Sequence, residues 1–321
     1  MKIGLDLMGG DHAPQNALDG AILACDVMKG EDLLYCIGNI NLIKEKFALE
    51  YEKLTNSCRI KFVDAVDVIE MSDTPTKAYS QKPKSSMAIG FRMLKGDEID
   101  VFIGAGNSGA MLVGAVYSVK VIEGIIRPAI ASLIPKENGK FEIIIDVGVN
   151  PDARHDVLFQ FGLMGSIYLK NIFGIENPRV GLLNIGHEKE KGNLVTQAAY
   201  SLMEDTDKYN FIGNIEGYDI FGDKADVLVC DGFTGNMIIK TLEGFYHVIK
   251  KHGISGEFID SFNYETYGGT PILGINKPVI LGHGVSSPIA FKNMISLGKK
   301  IVENNLIPEI KSQILNQNNI Q

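Results

Sequence analysis

The sequence predicts an α/β fold built on a parallel sheet, and three observations support this expectation. Short runs rich in β-branched residues alternate with longer helical patterns along the 321 residues, as they do in repeated βαβ units. Several runs end in clusters of Gly, Asn, Asp and Lys, at the position where open α/β sheets bind their ligands. A hydrophobic fraction of 45% supplies enough apolar surface for a large core.

Strands and helices can be assigned in order from these patterns. The first helix follows the first strand: Asp11 is expected to cap it, Pro14 lies near its start, and Gly30 is expected to end it. Residues 64–85 are expected to form a long irregular stretch. The expected strands are residues 2–7, 33–37, 59–63, 100–104, 129–134, 141–146, 179–184, 226–230 and 278–281.

The length favours one catalytic domain over residues 1–311, either undivided or as two subdomains around one cleft. Residues 312–321 are polar and are expected to form a frayed tail. A net charge of -8 argues against nucleic acid as a partner. The four cysteines show no paired spacing, and no signal peptide or membrane-length apolar stretch is present, so we expect a cytoplasmic protein.

A glycine-rich turn at residues 104–109 fits the pattern G-x-G-x-x-G after an expected strand. A dinucleotide site would also require an acidic residue at the end of the next strand, and none lies there. A cradle for phosphate or phosphopantetheine, with Asn107 and Ser108 as donors, fits better. A tight turn that only lets a helix pack on a strand is the alternative.

A second polar turn contains Asp6, Gly9, Gly10, Asp11 and His12. His12 could act as an acid, a base or a ligand, but a turn in which Asp11 and His12 only satisfy backbone groups is the stronger interpretation. The six scattered histidines have no paired spacing, so no metal site is expected.

Two further strand ends carry candidate residues. Lys191 and Asn193 precede a helical pattern, and a lysine there opposes the helix dipole but suits a phosphate; a solvated loop lysine is the alternative. The segment CDGFTGN at 230–236 places Asp231 and Asn236 in a turn. Cys230 is expected to be a small buried hydrophobe rather than a nucleophile.

Five segments together resemble the PlsX family, the acyl-[acyl-carrier-protein]–phosphate acyltransferases of bacterial phospholipid synthesis. They are DLMGGDHAP at 6–14, SSM at 85–87, AGNSGA at 105–110, QFGLMGS at 160–166 and YGG at 267–269, and KGN at 191–193 also falls on a family motif. The resemblance covers essentially the whole chain. It implies the three-layer αβα sandwich of the isocitrate and isopropylmalate dehydrogenases, which phosphate acetyltransferases share.

The resemblance also implies transfer of a fatty acyl group from acyl-acyl carrier protein to inorganic phosphate, without a cofactor, for glycerophospholipid synthesis. A homodimer is implied, and the membrane glycerol-3-phosphate acyltransferase that uses acyl phosphate is a further expected partner. Residues 244–263 are shorter than the corresponding family segment, which puts peripheral membrane contact in doubt. A dehydrogenase on the same fold and a silent binding protein for acyl carrier protein stay open as alternatives.

The expected site residues come from the matched segments and from two strand ends that resemble segments of phosphate acetyltransferases, DGFTGN at 231–236 and GNIEGYD at 213–219. We expect Lys191 to contact phosphate or the developing oxyanion, and Asp219 or Asp231 to orient a lysine or accept a proton. A basic loop with Lys77, Lys82 and Lys84 is expected to bind the acidic carrier, and solvated loop charge is the alternative interpretation. The expected catalytic residues are Lys191, Asp219, Asp231 and Asn236, and the expected binding residues are Asp6, Gly9, Gly10, Asp11, His12, Ser85, Ser86, Asn107, Ser108 and Asn193.

Overall fold

The structure is a computed structural model that describes residues 1–57, 59–263, 265 and 267–318. Cys58, Tyr264, Thr266 and residues 319–321 lie outside the described residues. The chain divides into two compact units. The first unit is Met1–Val121 with Tyr264–Glu303, and the second is Ile122–Asn263 with Asn304–Gln321.

The first unit is built on a sheet whose strand order is β3-β2-β1-β4-β11-β10, with strands numbered in chain order. All neighbouring strands in this sheet run parallel except β10 and β11, which run antiparallel. The strands are β1 (Lys2–Asp6), β2 (Leu33–Gly38), β3 (Ile60–Asp64), β4 (Val101–Gly104), β10 (Gly269–Leu273) and β11 (Val279–Gly282).

Helices cover the sheet of the first unit, and α1 packs against α11. Gly20 makes this contact possible, because a Cβ at that position would lie 2.4 Å from the Cβ of Phe291. The helices are α1 (Gln15–Ala24), α2 (Ile40–Lys46), α3 (Ala48–Thr55), α4 (Pro75–Gln81), α5 (Ser86–Lys95), α6 (Ser108–Gly114) and α11 (Pro288–Glu303), with a π-helical turn at Ala115–Val119.

The second unit has the strand order β5-β6-β9-β7-β8, in which only β5 and β6 run antiparallel. Its strands are β5 (Ala129–Pro135), β6 (Phe141–Ile145), β7 (Arg179–Leu183), β8 (Asn210–Ile215) and β9 (Val227–Val229). Its helices are α7 (His155–Phe173), α8 (Leu194–Glu204), α9 (Gly232–Lys251), α10 (Glu257–Asp260) and α12 (Leu306–Asn318). Of the helices described, none is long and apolar enough to cross a membrane.

The nine expected strands are confirmed to within one or two residues at each end. Strands β8 and β10 were missed because their sequences carry Asn, Gly, Thr and Pro in place of a continuous apolar run. The two antiparallel pairs also correct the expectation of a purely parallel sheet. Short connections join each pair in sequence, and neither has room for a crossover helix.

Three local expectations were wrong. Helix α1 has Pro14 at its N-cap without a side-chain cap, so Asp11 does not cap it, and it ends at Ala24, before Gly30. Residues 64–85 include α4, which begins with Pro75 at the position where a missing N–H costs nothing. Helix α12 continues through Asn318 and buries Ile314, so the expected tail is helical as far as residue 318.

Candidate functional site

The second unit collects four polar segments at one edge of its sheet. Strands β6, β9, β7 and β8 run parallel, so their carboxyl ends lie together. The segments that follow them are residues 146–150, 231–236, 184–193 and 216–219. This is the edge at which open α/β sheets place their ligands.

A buried carboxylate organises the segment after β6. Asp146 accepts hydrogen bonds from the Ile130 N–H at 3.1 Å and from the backbone N–H and the side-chain amide of Asn150 at 2.6 Å and 2.9 Å. Burial raises the pKa of Asp146, and these hydrogen bonds act in the opposite direction. Sequence analysis did not select Asp146 as a site residue, although an acidic residue directly after an apolar strand was a usable signal.

The turn after β9 packs directly against the backbone of this segment. The Gly232 N–H donates to the Asn150 carbonyl at 2.7 Å, and a Cβ on Gly235 would lie 1.9 Å from the Asp146 carbonyl oxygen. Asp231 is the N-cap of α9 and accepts from the Thr234 N–H at 2.7 Å. The Asn236 side chain is exposed beside this turn. The turn is therefore held from below while its outer face stays open.

Cys230 lies beneath the same turn. It is 5% exposed, and burial raises the pKa of its thiol well above the usual value. A thiol held in its neutral form is a poor nucleophile. The expectation that Cys230 is a small buried hydrophobe is confirmed.

Two asparagines fix the loop after β7. The Asn184 amide donates to the Lys191 carbonyl and to the Asn214 side-chain oxygen, each at 3.1 Å, and the Asn214 amide donates to the Glu188 carbonyl at 2.9 Å. Gly192 has φ +86, and a Cβ there would lie 2.3 Å from the Asn184 side-chain oxygen. Only glycine suits that conformation and that close approach. The backbone beside Lys191 is therefore held in one geometry.

The two lysines of this loop differ in their partners. Lys189 forms an ion pair with Glu204. Lys191 is exposed, and within the described ranges its ammonium group has no hydrogen bond or ion pair. Asn193 is the N-cap of α8 and accepts from the Thr196 N–H at 2.9 Å. Lys191 is thus the lysine that is free to meet an anionic ligand.

Asp219 does contact a lysine, but the lysine is Lys224. Their side chains are 2.7 Å apart, and the Asp219 side chain is only 4% exposed. The hydrogen bond to Asp219 raises the pKa of Lys224. His187 also lies close to this carboxylate, with its Nε2 3.4 Å from an Asp219 carboxylate oxygen. Sequence analysis missed Lys224 and His187, because neither belongs to a recognisable motif.

In the first unit, the expected polar turn is packed tightly. Asp6 is 1% exposed and accepts from the Met8 N–H at 2.9 Å. Burial raises the pKa of Asp6, and a hydrogen bond with Ser86 acts against that shift. A Cβ on Gly9 would lie 2.6 Å from the Gly106 nitrogen, and Gly10 has φ +110. This turn therefore closes against the glycine-rich turn.

Asn107 is fully used by the protein. Its side-chain oxygen accepts from the Ala110 N–H at 3.0 Å, and its amide faces the carbonyls of Glu70, Met71 and Asp73 at 3.3, 3.2 and 2.9 Å. The expectation that Asn107 offers a free donor is therefore wrong.

Some of the other expected binding residues of this unit form hydrogen bonds within the protein, and others have exposed side chains. Ser85 caps α5 through the Ala88 N–H at 3.2 Å. The Asp11 N–H donates to the Gly284 carbonyl at 2.7 Å. The side chains of Asp11, His12 and Ser108 are exposed. The buried polar residues of this unit therefore form hydrogen bonds within its own turns and helix caps.

The expected basic loop is divided in the same way. Lys82 donates to Asp73 at 2.5 Å and to the Val68 carbonyl at 2.8 Å. Lys77 and Lys84 are exposed, and the structure describes no ion pair for either. Lys82 therefore supports the loop, and Lys77 and Lys84 remain available to a partner.

Comparison with known proteins identifies relatives over the full chain. Residues 1–309 match the family model described as fatty acid synthesis protein. A phosphate acyltransferase of Halothermothrix orenii is 40% identical, covering 98% of each chain. A phosphate acyltransferase of Clostridium perfringens is 37% identical and covers 100% of both.

Solved structures show the same fold at low sequence identity. A branched-chain phosphotransacylase from Enterococcus faecalis matches with a TM-score of 0.64 and 14% identity, covering 94% of this chain and 99% of that one. The EutD phosphotransacetylase from Staphylococcus aureus gives 0.60 with 15% identity and 94% coverage of each chain. A 4-hydroxythreonine-4-phosphate dehydrogenase from Klebsiella pneumoniae gives 0.55 with 12% identity, covering 94% and 99%. The expected fold is confirmed.

Proposed function

Because the chain belongs to the phosphate acyltransferase family, we propose that it moves a fatty acyl group from the thioester of acyl carrier protein to inorganic phosphate. The products are an acyl phosphate and the free carrier thiol. Family membership supports the phosphate acceptor and the acyl transfer. The carrier-bound thioester as donor is the further step that we propose.

The chemistry does not require a nucleophile on the enzyme. A phosphate oxygen attacks the thioester carbon, the tetrahedral oxyanion collapses, and the C–S bond breaks. The departing thiol has a pKa of ~8.5, so it leaves without a strong acid. The enzyme must hold two anionic reactants together and stabilise the oxyanion, which positioning and preorganised charge can supply.

The observation that carries this proposal is the state of Lys191. Its backbone is fixed by Asn184, while its ammonium group has no partner in the described part of the chain. A cation held at the carboxyl edge of the sheet, with no ion pair to neutralise it, suits a phosphate or a developing oxyanion.

The other expected catalytic residues take supporting roles in this proposal. Asp231 and Asn193 cap α9 and α8 and so fix the turns on either side. Asn236 is exposed on the outer face of its turn and offers a neutral donor. Asp219 holds Lys224 and His187, and it acts on the site through them.

We further propose a cytoplasmic homodimer whose acyl phosphate product supplies a membrane glycerol-3-phosphate acyltransferase in the synthesis of phosphatidic acid. This placement rests on the family's role, together with the acidic carrier as a partner. Lys77 and Lys84 are exposed cations that suit such a carrier.

The test is incubation of the protein with acyl-acyl carrier protein, with and without phosphate, while free thiol and acyl phosphate are measured. Phosphate-dependent release of thiol with formation of acyl phosphate is expected. Reduction of NAD by a hydroxy-acid phosphate would favour the dehydrogenase alternative. Carrier binding without turnover would favour a silent binding protein, and either result would overturn the proposed transfer.

A further inference from the structure

A small pocket opens where the segment after β6 meets the start of α7. Its volume is about 240 Å³, and Arg127, Arg154, Asn150 and Asp152 line it together with apolar side chains. Pockets for drug-sized ligands are usually ~300–1,000 Å³. The pocket is therefore somewhat smaller than that range, and it has room for a small polyatomic ion.

The pocket brings two guanidinium groups together. Arg154 is paired with Asp156, with its Nε 3.1 Å from a carboxylate oxygen. Arg127 is exposed, and across the described ranges it has neither a hydrogen bond nor an ion pair. A guanidinium group offers a fork of donors that matches phosphate oxygens. Arg127 is thus a cation without a structural partner on the wall of a cavity.

The same pocket also presents hydrogen-bond acceptors. Asn150 is 7% exposed, and its amide nitrogen donates to the Pro128 carbonyl at 2.8 Å and to Asp146 at 2.9 Å. These two bonds fix the orientation of the amide. Its side-chain oxygen receives no hydrogen bond from any described residue, and the carboxylate of Asp152, which also lines the pocket, has no ion pair with any described residue. A ligand for this pocket must therefore accept from arginine and donate to oxygen.

We propose that this pocket binds inorganic phosphate in its hydrogen phosphate form, as the acceptor substrate of the transfer proposed above. Hydrogen phosphate carries anionic oxygens for Arg127 and a P–OH group that donates to Asn150 or Asp152. Sulfate at neutral pH has no proton to donate, and a phosphodiester has no P–OH. The acceptors would thus exclude sulfate and phosphodiesters, including the phosphodiester of a phosphopantetheine arm.

Asn150 connects this pocket to the candidate active site. Its carbonyl accepts from the Gly232 N–H at 2.7 Å, and Asp146 binds both its backbone and its side chain. The pocket therefore adjoins the turn of residues 231–236. Phosphate held here by Arg127 would leave Lys191 to stabilise the oxyanion. This assignment of roles rests on the proposed function, whereas the anion selectivity of the pocket does not.

Calorimetric titration with phosphate, sulfate and dimethyl phosphate tests the site. Arg127→Gln should raise the Kd for phosphate about tenfold or more, since it removes a charged donor. Asp152→Asn replaces one carboxylate oxygen by an amide donor and removes the negative charge, so it should lower the preference for phosphate over sulfate about tenfold. Lys140→Gln is the matched control, because Lys140 is exposed at the opposite end of β6. It removes the same charge and should leave both affinities unchanged.

The outcomes separate the pocket from the proposed function. If the wild-type enzyme transfers acyl groups to phosphate, and a folded Arg127→Gln variant keeps Kd and KM for phosphate within twofold, the pocket is not the phosphate site. Equal binding of phosphate and sulfate by the wild type would also overturn the proposal. Selective phosphate binding at Arg127 without any phosphate-dependent thiol release would support the pocket and contradict the proposed transfer.

Discussion

The two ends of the sheet in the second unit use charged residues in opposite ways. At the amino ends of the parallel strands, Lys136 is fully buried and lies 3.1 Å from Asp226, which Arg179 also contacts at 2.9 Å. At the carboxyl ends, Lys191 and Arg127 are exposed, and their charged groups have no partner among the described residues. The same residue types therefore hold the fold together at one edge and remain open to ligands at the other.

Protonation follows this division. Burial alone would raise the pKa of Asp226, but hydrogen bonds from Arg179 and Lys136 outweigh it and hold the pKa well below the usual value. Glu142 has the opposite balance, because burial raises its pKa to about 9 and Lys136 only partly offsets the shift. The charged groups at the buried end therefore form one electrostatic network, and removing one of them changes the pKa values of the others.

The largest effect is expected from breaking the buried network. Lys136→Met should cost about 3–5 kcal/mol of unfolding free energy, because it leaves Asp226 with one cation fewer in a buried site. Urea denaturation measures the loss, and turnover per folded molecule should stay unchanged. The control Lys140→Met removes an exposed lysine from the same hairpin and should change stability little. Equal effects of the two substitutions would contradict the contrast between the ends.

The opposite edge should respond in activity rather than in stability. Lys191→Ala should lower kcat/KM at least ~10²-fold, the loss typical of removing one transition-state donor, with an unchanged melting temperature. Lys189→Ala, two residues away, removes a lysine that already pairs with Glu204 and should cost much less activity. Near-wild-type turnover of a folded Lys191→Ala enzyme would remove Lys191 from the mechanism.

Sequence could predict the fold and the edge of the sheet that carries the site, because both follow from alternating patterns and from the polar ends of strands. The sequence could not show which polar side chains already have hydrogen-bond partners within the folded protein. In the sequence, Asn107 and Lys191 look equally able to bind a ligand. In the structure, the Asn107 amide faces three backbone carbonyls, whereas the Lys191 ammonium group has no partner among the described residues. Partners such as the Glu70 and Asp73 carbonyls are distant in sequence from Asn107, and only the fold brings them together.

The pH dependence of stability offers a finer test of the buried end. Glu142 has a folded pKa of about 9 against an ordinary value of 4.5, so the folded protein holds a proton that the unfolded chain releases between those values. Its contribution to stability is full below about pH 4.5 and is lost as pH rises towards about 9, by up to ~1.4 kcal/mol per unit. Glu142→Gln removes this titration.

Urea denaturation at several pH values between 5 and 8.5 measures the prediction. The variant should gain stability relative to the wild type as pH rises. A difference in unfolding free energy that does not change with pH would show that Glu142 titrates normally.

A substitution of Cys230 tests whether this buried residue near the site has a structural or a catalytic role. Cys230→Ala should keep wild-type activity and lose about 1 kcal/mol of stability, because only a small buried group is removed. Mass spectrometry of the enzyme with its acyl donor should detect no acyl-enzyme. An acyl thioester trapped on Cys230 would replace direct attack by phosphate with a covalent mechanism.

The basic loop of the first unit shows the same contrast between a lysine that is paired within the protein and lysines that are not. Lys82 binds Asp73 and the Val68 carbonyl, so reversing its charge would disrupt the loop itself. Lys77 and Lys84 are exposed, and no ion pair is described for them. The carrier is expected to be acidic, and the net charge of -8 makes local cations necessary for its attraction.

Reversal of Lys77 and Lys84 to glutamate, with Lys82 intact, should therefore raise KM for the carrier thioester severalfold and leave KM for phosphate unchanged. Exposed charges are screened as the Debye length falls from ~10 Å at 0.1 M salt to ~3 Å at 1 M, so the difference between variant and wild type should shrink at high salt. Lys44→Glu, an exposed charge reversal on α2, is the control and should leave carrier binding unchanged. If the double variant binds the carrier normally at low salt, the carrier docks elsewhere. Lys251, which is exposed on the last turn of α9, would then be the next candidate for carrier binding. Lys250 and Lys189 are weaker candidates, because they already form ion pairs with Asp260 and Glu204.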